Sequence, residues 1–207
     1  MMKRNDWKRI LQLLLVFLSP AVMVAGQDLS QPEQEKALRY LEETRAGVID
    51  AVKGLSETQL KFKPAPDRWS IAEVVEHLAL TEEVVENILG KIGQAPAGAL
   101  DRDPKKIDAM IMSQVPDRSR KAQAPPILSP TGRWTTAESL EHFQAARKHI
   151  TEILHSTPDL RKHVVDHPAL GPLDGYQWVL TTAAHSARHT KQILEVKADP
   201  HFPGNGF

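Results

Sequence analysis

DGYQWVLTTAAHSARHTKQILEVK, residues 174–197, reads as one long helix from cap to tail. Tyr176, Leu180, Ala183, Ala184, Ala187 and Leu194 recur at helical spacing, and no proline or glycine falls between Tyr176 and Lys197. Asp174, with Gln177 three residues on, is a cap-like start. Trp178, Thr182, His185, His189 and Val196 form an adjoining stripe, so the two histidines stand beside the apolar face and not opposite it. Four residues apart on a helix, they are ~6 Å apart along the axis and turned by only ~40°, which lets two imidazoles reach one metal ion. Such a pair alone is weak evidence, because surface and structural pairs share the spacing. It gains force if another element supplies a third ligand.

Working back along the chain, three more helices announce themselves by their caps. Thr135 with Glu138 forms a capping box, and Leu140, Phe143, Ile150 and Leu154 carry the period to about Ser156. Ser70 with Glu73 forms another, followed by Ile71, Val74, Val75, Leu78, Val85, Ile88 and Leu89 and a stop near Gly90. Ser30 with Glu33, and Pro32 in the first turn, opens a helix from about Pro32 to Leu55 with Leu38, Leu41, Val48, Ile49, Val52 and Leu55 along one stripe. No segment shows the alternation of a strand. Four long helices and no sheet predict an all-α fold, a four-helix bundle with a long connection, residues 91–134, between its second and third helices. Asp103 and Pro104 can start a short helix there, with Ile107, Met110, Ile111 and Val115 on one face. Five prolines and glycines from Pro116 to Gly132 then keep the chain extended, either across one end of the bundle or as a loose surface loop.

Composition narrows the chemistry. A chain of 207 residues, 41% hydrophobic and 25% charged, suits one domain with a sizeable core. The formal net charge of +0 gives no sign of a nucleic-acid partner. With no cysteine, thiolate nucleophiles, disulfides and Cys-based zinc sites are excluded, and any metal must be held by carboxylates and the nine histidines.

Residues 1–26 read as a signal peptide. Lys3, Arg4, Lys8 and Arg9 precede the mostly apolar run Ile10–Val24, and Val24-Ala25-Gly26 offers small residues for cleavage. The run is short for a bilayer ~30 Å thick, so no stable membrane span is expected after cleavage. The mature chain would carry a net charge of about −3. An exported chain without disulfides points to a bacterial envelope, periplasmic or extracellular. Residues 27–197 then form the bundle domain, and 198–207, with two prolines and two glycines, a flexible tail.

His77 lies on the flank of the second helix's buried stripe, one turn from Val74 and Thr81. A lone histidine there is ordinarily a satisfied core residue, but here it is the candidate third ligand. His142, His149, His155, His163, His167 and His201 fall on exposed faces or in connectors and take the structural reading. Arg45 and Arg147 each interrupt an apolar stripe. Such a guanidinium must be paired inside the bundle or reach water with its head, or else hold an anionic substrate group near the metal. Glu73, one turn before His77, is either a general base or simply the capping partner of Ser70.

Trp69-Ser70-Ile71-Ala72-Glu73-Val74-Val75-Glu76-His77-Leu78, followed far downstream by His185-Ser186-Ala187-Arg188-His189-Thr190-Lys191-Gln192-Ile193, resembles the DinB/YfiT-like metalloenzyme superfamily across essentially the whole mature domain. The resemblance implies a four-helix bundle with a His-triad divalent metal site, often zinc or nickel, whose ligands here would be His77, His185 and His189. It departs from better-known relatives, which are cytoplasmic and some of which use low-molecular-weight thiols, in carrying an export signal. Three protein ligands leave a coordination position open, the arrangement of catalytic and not structural zinc. The expected function is a metal-dependent hydrolase or thiol transferase acting on a small molecule, with Glu73, Arg147 and Arg45 as candidate catalytic residues and a homodimer as the candidate assembly. The alternatives are a non-catalytic metal- or ligand-binding envelope protein, or a bundle without metal.

Overall fold

The computed structural model describes residues 28–98, 102–121 and 123–204. The segment read as an export signal lies outside them. Among the described residues, no helix is long and apolar enough to cross a membrane.

Four long helices make the bundle: α1 (Gln31–Val52), α3 (Ile71–Leu89), α5 (Thr136–Ser156) and α6 (Gly175–Lys197), with short α2 (Glu57–Lys61) and α4 (Pro104–Gln114) between them. The four capping pairs named above are all formed. A fifth, Ser56 with Gln59, opens α2. The first helix therefore stops at Val52, short of Leu55, and Gly54 takes the left-handed turn that ends it (φ 73°). α1 packs chiefly on α6, and α3 on α5; α3 also packs on α6, and α1 on α5. The ring order α1–α6–α3–α5 places α1 diagonally opposite α3, and α5 diagonally opposite α6. The chain thus crosses the bundle twice, and α3 and α6 become neighbours despite lying far apart in sequence.

One element was not expected. β1 (Val164–His167) and β2 (Gly171–Asp174) form an antiparallel hairpin, with Val164 opposite Asp174 and His167 opposite Gly171. Four-residue strands, one containing Pro172, are too short to show a period of two. The hairpin aims α6, because Asp174 both ends β2 and caps the helix through the Gln177 amide at 2.8 Å. Arg161 braces this corner with ion pairs to Glu33, Asp108 and Asp174 and lies over the Tyr176 ring.

The core has two apolar halves. Leu41, Leu89, Ile111, Ile150, Leu154 and Tyr176 belong to one; Val48, Ile71, Val74, Leu78, Phe143 and Ile193 to the other. Between them lies a buried polar layer. Arg147 is 1% exposed and forks onto Glu82, with Nε donating to Oε2 at 3.0 Å. It also donates to the Leu41 carbonyl, Thr44 and Ser186. The tail expected to be flexible is docked at Phe202 and Pro203: Phe202 meets Phe62 edge-on at 5.6 Å, and Gln59 donates to the Pro203 carbonyl. Phe202 is apolar enough to tie down a segment whose prolines and glycines suggested otherwise.

Candidate metal centre

α3 and α6 bring three imidazoles to one point. His77 and His189 are buried and His185 is half-buried, and their candidate ligand atoms all lie within 4.8 Å of one another. The Nε2 atom of His185 stands 3.2 Å from Nε2 of His77 and 3.1 Å from Nε2 of His189. Two nitrogens on one tetrahedral zinc, each ~2.0–2.1 Å from the ion, are themselves separated by ~3.3 Å.

The outer ring nitrogens show which atoms face inward unprotonated. Nδ1 of His77 is 2.8 Å from the Leu128 carbonyl oxygen, and Nδ1 of His189 is 2.8 Å from Oε1 of Gln192. An oxygen of either kind only accepts, so each Nδ1 carries the proton and each neutral ring presents a bare lone pair at Nε2. His185 can donate one proton, to one neighbour, and leaves the other lone pair unmatched. Protonating the rings does not resolve this. Burial pushes His185 and His189 well below the ordinary imidazole value, and the neighbouring imidazoles push the same way. Burial also lowers His77, only partly offset by the Leu128 bond. A divalent cation accepts all three lone pairs together, so the donor set fits a metal ion.

Trp69 walls the site. It lies immediately before the α3 cap, with its ring 4.9 Å from His77 and 6.4 Å from His189, nearly parallel to the latter. The described residues of the 91–134 connection that follow α4 cover another side and are tied down. Leu128 holds His77, while the Glu76 carboxylate accepts the backbone N–H groups of Thr131, Gly132 and Arg133. From α6, Arg188 donates to the carbonyls of Val115, Asp117 and Arg120, and Lys191 to that of Pro116.

The three candidate catalytic residues have other work. Arg147 points into the polar layer, where Glu82 balances its charge, so it is not available to a substrate anion. Arg45 is paired with Glu42 on the same helix and reaches Gln144. Glu73 accepts from the Ser70 amide and from Lys63. Burial raises its carboxyl, but these donors outweigh that and hold it below the usual carboxylate range, which does not suit a general base near neutrality. Among the described residues no other histidine joins the cluster. His142 pairs with Glu83, His149 with Glu86 and His201 with Asp199, and His163 bonds the Ala95 carbonyl.

Reading the residues missed Trp69 as a wall, Gln192 and Leu128 as partners of ligands, and Glu76 as the anchor of the connection. Only Gln192 left a local signal, since it stands three residues after His189 on the same helix.

The sequence model of the DinB superfamily matches residues 40–193. YuaE of Bacillus subtilis, itself uncharacterised, is 27% identical over 158 residues, covering 75% of this chain and 93% of YuaE. Two solved structures share the fold. TT2238, described as a four-helix bundle protein, superposes with a TM-score of 0.51 at 19% identity, over 78% of this chain and 98% of that one. YfiT of Bacillus subtilis, described as a probable metal-dependent hydrolase with an unusual four-helix bundle topology, superposes with a TM-score of 0.57 at 19% identity, over 81% of this chain and 87% of its own.

Proposed function

Since the chain belongs to the DinB superfamily, we propose that it is an exported metal-dependent hydrolase or transferase for a small molecule, with one divalent ion held by His77, His185 and His189. The convergence of three Nε2 atoms, two of them with their outer nitrogens tied to acceptors, carries this reading. The description of YfiT as a probable metal-dependent hydrolase supports it. Zinc or nickel suits three imidazoles, as borderline ions do. When bound, the ion supplies Lewis-acid polarisation and lowers the pKa of a coordinated water or thiol.

The chain's own part is to hold and to shield. Leu128 and Gln192 orient two of the ligands, three neutral imidazoles leave the ion's charge undiminished, and the Trp69 ring limits water on one side. Without cysteine the chain offers no thiolate of its own, and the attacking group in this reading is water or a cosubstrate such as a thiol. One observation favours the non-catalytic alternative, a metal- or ligand-binding envelope protein: Glu73, Glu76 and Glu195 around the site are each engaged by other donors. Screening ester, amide, phosphoester and thiol-adduct substrates with metal-free and metal-loaded protein decides between them. Turnover that requires the ion and His77 supports the enzyme. Failure of every class at full metal occupancy selects the binding protein, and activity that survives chelation rules out the metal role. Export is tested by fractionation with N-terminal sequencing, which should find a chain starting near Gln27 outside the cytoplasm; a cytoplasmic chain with Met1 intact would refute it.

A further inference from the structure

We propose that Arg118 is a positioning residue for the ligand His189, acting through Gln192 as a lock on the imidazole tautomer, so that the connection after α4 completes the metal centre. This rests on the reading of the triad as a metal site.

A side-chain amide has two faces. Its oxygen accepts and its NH2 group donates, and a half-turn exchanges them. Which face Gln192 shows to His189 sets the proton on the ring. With the oxygen toward Nδ1, Nδ1 must carry the hydrogen and Nε2 is a lone pair ready for an ion. With the NH2 group there, Nδ1 must accept, and the hydrogen moves to Nε2, inside the triad, where it blocks coordination. His77 has no such ambiguity, because the backbone carbonyl of Leu128 accepts and cannot rotate into a donor.

Arg118 removes the ambiguity for His189. Its Nη1 donates to Oε1 of Gln192 at 3.2 Å, on the same oxygen that His189 Nδ1 meets at 2.8 Å. A guanidinium has donors only, so the turned-over amide would set NH2 against N–H. The guanidinium is itself held by a fork onto Glu195, Nε at 2.6 Å and Nη2 at 2.7 Å, and Arg68 approaches the same carboxylate at 3.8 Å. Glu195, Gln192 and His189 share one face of α6, while Arg118 comes from 74 residues away.

Zinc affinity measured by competition with a chelating indicator tests this, alongside the His189 tautomer of the metal-free protein read by long-range 1H–15N NMR. Arg118→Met should weaken zinc binding by roughly tenfold or more, as loss of a ligand's hydrogen-bond partner does, and should give His189 a mixed tautomer. Adding Gln192→Glu should restore both, because a carboxylate has no donor face to turn. If Arg118 only tethered the connection to α6, that second change would restore neither. A single wild-type tautomer with unchanged affinity in Arg118→Met, or a loss that Gln192→Glu fails to recover, overturns the proposal. Should Arg118→Met fail to fold, Gln192→Met, which keeps the Arg118–Glu195 pair, must lose affinity to the same extent. If the wild-type chain binds neither zinc nor nickel, the metal reading fails, and the tautomer measurement still judges Arg118.

Discussion

Two imidazoles of the triad, His77 and His189, are each governed by an atom on the far side of the ring. Leu128 and Gln192 place the protons of His77 and His189 outward, and burial keeps the rings neutral. His77→Ala, His185→Ala and His189→Ala should each abolish binding of about one divalent ion per chain, read by elemental analysis, because each removes a direct ligand. His142→Ala, on a ring stacked over Trp134 and paired with Glu83, should leave metal content unchanged. Burial also sets a pH dependence. All three rings titrate below their ordinary value of 6.5 in the folded, metal-free protein, so below that pH the unfolded chain holds more protons. No penalty exists above about pH 6.5. As pH falls, stability declines, by up to ~1.4 kcal/mol per pH unit for each histidine, until the folded values are reached. Urea unfolding of metal-free protein between pH 7 and 5 should show this slope, and a flat profile would contradict the burial of the triad. Thr182, in line with the histidines, buries a hydroxyl that finds no partner among the described residues, whereas Thr181 and Thr190 donate to carbonyls one turn back. Thr182→Val should therefore raise stability by about 1 kcal/mol.

In the layer between the two apolar halves, where α3, α5 and α6 meet, a charge pair replaces apolar packing. Arg147 from α5 and Glu82 from α3 are both buried, and Ser186 of α6 joins them. Removing one partner strands a buried charge. Glu82→Ala should lower the unfolding free energy by about 3–5 kcal/mol, whereas Glu82→Leu with Arg147→Met should recover most of that loss in chemical denaturation. The same layer explains why Arg147 could be singled out but not assigned: its place on a stripe shows in the spacing, but its carboxylate lies 65 residues away.

In the molecule as a whole, the ring order makes α3 and α6 neighbours, and an ion at the triad would tie the two together. Zinc should raise the melting temperature of the wild-type chain and leave that of the His185→Ala, His189→Ala double variant unchanged; at a hundredfold excess over the dissociation constant the gain is about 2.7 kcal/mol. Equal stabilisation of both proteins would place the bound zinc elsewhere. The helices, their starts and the fold class were readable because caps and apolar stripes involve residues three or four apart. His185 and His189 were readable as a pair for the same reason, and His77 joined them through the resemblance of its surrounding motif. The hairpin, the docked Phe202 and the covering role of the connection were not, because each depends on what a short or proline-rich segment meets in space. By itself the sequence determined the four long helices and the spacing of the His185–His189 pair, all properties of neighbours along a helix, and it offered His77 only through a family motif. Only the tertiary structure decided that Leu128, 51 residues from His77, and Arg118, 74 from Gln192, are part of the same centre, since hydrogen bonds between distant segments follow no spacing along the chain.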